Sequence, residues 1–134
     1  MRKFFIAGNW KMNPSGSPDE LLNGLKDKIG GMKKIDRLVA PPYIQIPRAK
    51  EILEGTGIHI AGQNLYWEEK GAYTGEIAPG MLKWAGCTHV IIGHSERRQY
   101  FGETDETVNR RMKTALKAGL IPIICLGESE QQRE

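Results

Sequence analysis

Four side chains suited to carbonyl chemistry lie at the ends of two apolar runs. Asn9 and Lys11 follow KFFIAG, His94 ends HVIIGH, and Glu96 comes two residues later. An ammonium, an amide and an imidazole that converge on one face can polarise a carbonyl. They also stabilise the oxyanion that forms when a neighbouring proton is removed. The fixed positive charge of Lys11 suits a phosphorylated substrate.

Five apolar runs indicate the elements that hold these residues: KFFIAG, RLVAPP, IHIAGQ, HVIIGH and IPIICLG. None alternates cleanly between apolar and polar residues, which is typical of strands buried on both faces in a parallel sheet. Their starts are spaced by about 20 to 35 residues, the length of a strand–helix unit. The fold class predicted is therefore α/β.

The segments between the runs carry helix signals: SPDELLNGLKDKIGG, IPRAKEILEG, PGMLKWAG and TDETVNRRMKTALKAG. In the first segment Ser17, Pro18 and Glu20 predict a capping box, with Pro18 at the first helical position. In the last segment Thr104 is the predicted cap.

Ligands of parallel α/β folds bind beyond the carboxyl ends of the strands. The residues that the five runs deliver there are Asn9–Lys11, Pro41–Tyr43, Gln63–Asn64, His94–Glu96 and Gly127–Glu128. We therefore expect Asn9, Lys11 and His94 to share one ligand-binding face.

His94 precedes a predicted short helix covering Glu96–Phe101, which Ser95 can cap. The positive end of a helix dipole disfavours imidazolium, so we expect a neutral ring that donates a hydrogen bond. Considered alone, such a histidine is more often structural. Because Asn9 and Lys11 follow another predicted strand at the equivalent position, we favour a ligand-binding role for His94.

Composition narrows the partners and cofactors. The net charge of +3 is mild and spread along the chain, which suits a small anionic ligand and not nucleic acid. No apolar run approaches the roughly 20 residues that span a membrane. No residue spacing suggests a metal site, and neither glycine-rich nucleotide motif is present. Cys87 and Cys125 are expected to be free thiols of a reducing cytoplasm, a disulfide being the alternative.

The last residues, ESEQQRE, contain a second predicted capping box, Ser129 with Gln132. This capping box predicts that a helix starts within about two turns of the last residue. The fifth parallel strand would also have an unpaired, exposed edge. We expect residues 1–134 to be the front part of one longer domain, cut after its fifth strand. A naturally short chain is the alternative.

Five motifs together resemble the triosephosphate isomerase family: AGNWKMN, AGQN, GAYTGEI, IIGHSERR and CLGE. The resemblance implies a (β/α)8 barrel, of which this chain covers about five strands and four helices. It implies interconversion of dihydroxyacetone phosphate and glyceraldehyde 3-phosphate through an enediolate, as in glycolysis and gluconeogenesis, without a cofactor. A neutral histidine at a helix N-terminus is a known feature of that family, so our interpretation of His94 is not independent of it.

The resemblance also implies residue roles. His94 is the electrophile, Lys11 the electrostatic anchor, and Asn9 a hydrogen-bond donor to a substrate oxygen. Glu96 pairs with Lys11 or assists proton transfer, although a carboxylate favoured by the helix start explains it equally well. We interpret three charged residues, Arg97, Arg98 and Glu103, as structural ion-pair partners. We expect the three tryptophans, Trp10, Trp67 and Trp84, to be packing residues.

In that family the GAYTGEI loop docks into a second subunit, so Tyr73, Thr74, Gly75 and Glu76 are the predicted interface of a full-length homodimer. They would support Asn9 and Lys11 of the partner subunit. Without the family, the segment is a glycine-rich surface loop.

One catalytic group of the family has no counterpart in these residues. Its general base is a glutamate after the sixth strand, and no segment of the 134 residues matches it. We therefore expect the chain to be inactive alone. Barrel-facing side chains of the runs Val90–Ile92 and Ile123–Cys125 are expected to be only partly buried, which predicts oligomerisation or a loosely packed state. The alternatives are another sugar-phosphate barrel enzyme and a non-catalytic half-barrel module that acts through self-association.

Overall fold

The five apolar runs form one parallel sheet that follows chain order. The computed structural model describes residues 1–13 and 16–133. The strands, which lie in the order β1-β2-β3-β4-β5, are β1 (Phe4–Asn9), β2 (Ile35–Ala40), β3 (His59–Gly62), β4 (His89–Ile92) and β5 (Ile121–Ile124). Every neighbouring pair is parallel, and the sheet is curled as in the first half of a barrel. The predicted fold class is confirmed.

Helices occupy the predicted connecting segments. They are α1 (Asp19–Ile29), α2 (Ile46–Leu53), α3 (Pro79–Ala85), α4 (Ser95–Tyr100), α5 (Asp105–Lys117) and α6 (Glu130–Arg133), with a 3₁₀ turn at Tyr43–Gln45 before α2.

Two of the predicted helix caps are present. At α5 the Thr104 hydroxyl accepts from the backbone N–H of Thr107 at 3.3 Å, and the Thr107 hydroxyl accepts from Thr104 N at 3.0 Å. At α6 Ser129 and Gln132 make the same reciprocal pair, at 3.3 and 2.8 Å. Each pair satisfies N–H groups that have no partner within the helix.

The capping box predicted for α1 is wrong. The Ser17 hydroxyl accepts from Asp19 N at 3.2 Å, but no described hydrogen bond joins Glu20 to Ser17. The helix starts at Asp19, one residue after Pro18. The carboxylate of Asp19 instead binds the Arg48 guanidinium of α2 through both oxygens, at 2.9 and 2.6 Å. This tertiary contact orients the first turn.

Two apolar clusters cover the two faces of the sheet. The larger lies between the sheet and the helices, and its fully buried members include Leu22, Ile46, Leu65, Leu82, Val90 and Ile92. The smaller lies on the opposite face, since side chains alternate along a strand; its members are Leu38, Ala40, Ala61 and Ile91, with Ile123 and Cys125 partly buried.

The expectation of partial burial is confirmed for Ile123–Cys125 but is wrong for Val90–Ile92. Val90 and Ile92 are 0% exposed and Ile91 is 6% exposed. Val90 and Ile92 face the helices, whereas Ile91 is covered by the inner side chains of β2 and β3. Five curled strands are therefore enough to bury the centre of the inner face.

Uncovered apolar surface lies instead on the two outer strands. Phe4 and Ile6 of β1 are 75% and 61% exposed, and Ile121 of β5 is 56% exposed. Both strands have an unpaired edge in this sheet. Trp84 of α3, interpreted above as a packing residue, is 88% exposed, so that prediction is also wrong.

Gly93 joins β4 to the turn that carries His94, and both its conformation and its surroundings require glycine. Its φ is +73°, and a Cβ there would lie 2.9 Å from a methyl of Val108 in α5. Gly102 has a similar φ of +67° with no atom within 4 Å of a Cβ. Comparison of the two positions separates backbone strain from steric conflict.

We expect Gly102→Ala to lower the free energy of unfolding by about 1–2 kcal/mol, the cost of a left-handed backbone. Gly93→Ala is expected to cost about 2–4 kcal/mol, because overpacking against Val108 adds to that strain. Urea denaturation of the two variants and the parent measures both changes. Equal losses would show that the contact with Val108 does not constrain the turn.

Candidate active site

The structure brings the four predicted site residues together in one open cleft beyond the carboxyl ends of the strands. Asn9, Lys11, His94 and Glu96 all line it, and its volume is about 390 Å³. Asn9 ends β1 and His94 follows β4. Because parallel strands deliver their ends to the same edge, residues distant in sequence become neighbours.

Lys11 is held in a rare backbone conformation by two side chains. Its φ is +55°, and it is the only non-glycine residue with positive φ in residues 1–13 and 16–133. The Asn9 Oδ1 atom accepts from Lys11 N at 2.9 Å, and the Gln63 amide donates to Lys11 O at 2.9 Å. Such strain persists where surrounding contacts over-determine the backbone. These contacts fix the direction in which the lysine leaves the chain.

The same hydrogen bond determines which end of the Asn9 amide can contact a ligand. Because Oδ1 is engaged by Lys11 N, the Nδ2 group is the end left to donate. This polarity matches a role in donating a hydrogen bond to a carbonyl or oxyanion.

His94 is itself the N-cap of α4, so the prediction that Ser95 caps this helix is wrong. The His94 Nδ1 atom accepts from Glu96 N at 3.2 Å. A Glu96 carboxylate oxygen lies 3.5 Å from the same Nδ1, beyond the usual distance for a hydrogen bond. With Nδ1 as acceptor, the neutral ring carries its proton on Nε2. Nε2–H is then the donor available to a ligand.

Glu96 forms an ion pair with Lys11. The Glu96 Oε1 atom lies 2.7 Å from Lys11 Nζ, and both side chains are about half exposed. The hydrogen bond from Lys11 is the main cause that lowers the pKa of Glu96, and partial burial opposes it. The carboxylate therefore stays ionised at neutral pH and partly balances the charge of Lys11.

Two positioning residues were missed by the sequence analysis. The Gln63 amide donates to Ala40 O as well as to Lys11 O, both at 2.9 Å, and so ties the Lys11 turn to β2. The Tyr43 hydroxyl donates to Asn64 O at 2.6 Å, and burial raises the pKa of Tyr43, which keeps it protonated. Their position after strand ends was the available signal, but no local pattern distinguishes positioning from loop residues.

Arg98 secures the turn that carries His94. Its Nε donates to Gly93 O at 2.9 Å, and one guanidinium nitrogen lies 2.7 Å from Asp105 of α5. Arg97 lies 2.7 Å from the buried carboxylate of Glu103. The predicted ion pairing of these residues is confirmed, and Arg97 also lines the cleft.

The predicted interface residues Tyr73, Thr74, Gly75 and Glu76 form an exposed loop after β3. None of them lines the cleft of its own chain. The loop is compact, since Glu76 N donates to Tyr73 O at 3.0 Å.

Cys87 and Cys125 are free thiols, as expected. Burial raises the pKa of Cys87 to about 12, and burial also raises that of Cys125. Within residues 1–13 and 16–133, no group of three or more histidine, cysteine or acidic residues is arranged to hold a metal ion. No helix in that part of the chain has the length and apolarity needed to cross a membrane.

Comparison with known proteins gives one family. The family model described as triosephosphate isomerase matches residues 4–134. The chain is 52% identical over its whole length to a triosephosphate isomerase of Dehalococcoides mccartyi and 50% identical to one of Citrifermentans bemidjiense. It covers 53% and 54% of those proteins, so it spans about half the length of the curated relatives it matches.

A solved structure agrees with this result. The triosephosphate isomerase of Bartonella henselae superposes with a TM-score of 0.88 and 43% identity, over 98% of this chain and 55% of that one. The fold, the strand-end cleft and the sequence matches all lead to the same conclusion: the chain belongs to the triosephosphate isomerase family.

Proposed function

We propose that this chain forms the substrate-polarising half of a triosephosphate isomerase active site, acting on a phosphorylated triose. The observation that carries the proposal is the convergence of Asn9, Lys11 and His94 on one cleft. Two hydrogen-bond donors and one ammonium group there match the needs of a carbonyl whose neighbouring carbon loses a proton.

In the proposed reaction, dihydroxyacetone phosphate and glyceraldehyde 3-phosphate interconvert through an enediolate. His94 Nε2–H and Asn9 Nδ2 donate to the substrate oxygens, and these bonds strengthen as negative charge develops. Lys11 supplies a positive charge near the anionic substrate. Loss of one such donor typically costs about 10²–10³ in turnover. Glu96 tunes Lys11 through their ion pair.

The base that removes the carbon-bound proton is proposed to come from further strands, because the family glutamate has no counterpart in residues 1–134. These residues are then the first five strands of one barrel domain. The exposed apolar residues of β1 and β5 support closure by more strands, since Phe4, Ile6 and Ile121 lie on the two open edges. The same exposed residues favour the second candidate, a non-catalytic half-barrel that associates with itself.

For the completed protein we propose a homodimer in which the loop Tyr73–Glu76 enters the cleft region of a second copy. The loop is exposed and none of its residues lines the cleft of its own chain, which supports this arrangement. A place in glycolysis and gluconeogenesis in the cytoplasm follows from the proposed reaction, and the two free thiols are compatible with it.

The first test joins residues 1–134 to the remaining half of the Dehalococcoides mccartyi relative. We expect no isomerase turnover from the chain alone, since general acid–base catalysis contributes about 10²–10⁴ in rate and its base is missing. The chimera is expected to be active in a coupled assay. Turnover by the chain alone would contradict the missing-base proposal, and a folded but inactive chimera would favour the non-catalytic module.

Variants of the chimera test the roles of single residues. His94→Gln and Lys11→Met are each expected to lower kcat/KM at least about 10²-fold, because each removes charge stabilisation in the cleft. His59→Gln is the matched control: His59 starts β3 at the opposite end of the strands and does not line the cleft. An equal loss in the control would indicate damage to the fold.

The Lys11–Glu96 pair predicts a specific change in titration. Lys11→Met should raise the pKa of Glu96 towards its ordinary value, because the main cause of its lowering is lost. Lys3→Met is the control, since it should raise the pKa of Asp36, which Lys3 binds, and leave Glu96 unchanged. Carbon-13 NMR of the side-chain carboxyls measures both pKa values.

The lowered pKa of Glu96 in the parent also makes stability depend on pH. The ion pair stabilises the fold at pH values above the unfolded-state pKa of Glu96, and this stabilisation is lost as the pH falls through the folded-state pKa. An unchanged Glu96 titration in Lys11→Met would show that the pair does not form in solution.

A further inference from the structure

Trp67, at the base of the exposed loop, contacts two guanidinium groups. The Cζ atom of Arg110 is 4.0 Å from the centroid of the Trp67 rings, and that of Arg111 is 4.8 Å away. Both arginines belong to α5, so the indole is attached to a helix that is distant in sequence. Contacts of this kind draw a cation to the electron-rich face of the ring.

One of the two arginines is itself fixed by buried contacts. Arg111 is 6% exposed, its Nε donates to Leu65 O at 3.0 Å, and a guanidinium nitrogen lies 3.4 Å from Glu103. Thr114, also in α5, donates from its hydroxyl to Trp67 O at 3.2 Å. Trp67 therefore rests on a rigid support, and Arg110, which is exposed, also contacts its ring.

A chain of aromatic contacts extends from Trp67 to the tip of the loop. The ring centroids of Tyr66 and Trp67 are 4.4 Å apart, and those of Tyr66 and Tyr73 are 4.8 Å apart. Tyr66 N donates to Ile77 O at 2.8 Å and closes the base of the loop. Gly71, with φ +139°, lies against the Tyr73 ring so closely that a Cβ would be 2.8 Å from it.

We propose that Trp67 is a positioning residue: held by its contacts with Arg110 and Arg111, it sets the loop of residues 68–76 in its docking shape before the loop meets a second copy of the chain. This inference rests on the docking role assigned to the loop under Proposed function. A preformed loop loses less conformational freedom on binding, so more of its contact energy contributes to affinity.

Hydrogen exchange of the chimera, the completed protein to which the docking role is assigned, followed by mass spectrometry, tests both steps in one experiment. In dilute chimera, exchange of residues 66–77 reports the order of the loop. In concentrated chimera, added protection at residues 9–13 and 94–101 reports docking on the cleft region. Only Asn9 of these residues belongs to an edge strand of this sheet, so protection of residues 10–13 and 94–101 does not report association through β1 or β5.

The variants are Arg110→Gln, which removes the exposed cation, and Trp67→Leu, which removes the aromatic faces but keeps an apolar side chain. We expect each to accelerate exchange of residues 66–77 about 3- to 30-fold, the range that corresponds to a cation–π contact. Concentration-dependent protection at residues 9–13 should weaken in parallel. Trp67→Phe, which retains an aromatic face, should restore part of both signals.

Lys113→Gln is the matched control, because it removes one exposed positive charge from the same helix. It should leave both signals unchanged. Parental exchange rates in Arg110→Gln and Trp67→Leu would overturn the inference. Faster loop exchange with parental docking would overturn it too, since order in the loop would not matter for docking. If the parent shows no protection at residues 9–13 and 94–101 at any concentration, the docking role itself is wrong, whatever the loop rates are.

Discussion

Parallel pairing of consecutive strands is the constraint on which the rest of this structure depends. Each strand runs in the same direction as its neighbour, so every carboxyl end lies at the same edge of the sheet. Asn9 lies opposite Ala40 in this register, and Trp10 N continues the ladder by donating to Ala40 O at 3.1 Å. The cleft is therefore a direct consequence of the sheet.

Precision at the cleft comes from contacts between strand ends. The left-handed backbone of Lys11 is costly by itself, but the Asn9 side chain holds one side of the residue and Gln63 the other. Gln63 follows β3 and simultaneously binds β2 through Ala40 O. Three strands thus determine where one ammonium group lies, and Glu96 of α4 balances its charge.

Helix α5 supports both the turn that carries His94 and the exposed loop of residues 68–76. Near its start, Asp105 binds Arg98, which holds the Gly93 turn next to His94, and Val108 fills the space beneath Gly93. One turn further, Arg111 holds Leu65 O and the Trp67 ring at the base of the exposed loop. The histidine turn and the loop therefore share one rigid element, which accounts for the concentration of ionic and cation–π contacts along it.

The sequence by itself determined the class of fold and the positions of Asn9, Lys11, His94 and Glu96 after the predicted strands, because these depend on local patterns. Apolar runs without alternation specify buried parallel strands, and the hydroxyl groups of Thr104 and Ser129 specify helix starts. Tertiary structure alone decided the rest. At the start of α1, where the pattern of Ser17 and Glu20 predicted a capping box, Arg48 of α2 instead binds the carboxylate of Asp19. Only the folded chain showed that Gln63 positions Lys11, that Ile91 is buried and that Trp67 contacts two arginines. These features join residues far apart in sequence, and no local spacing encodes which side chains meet once the sheet curls.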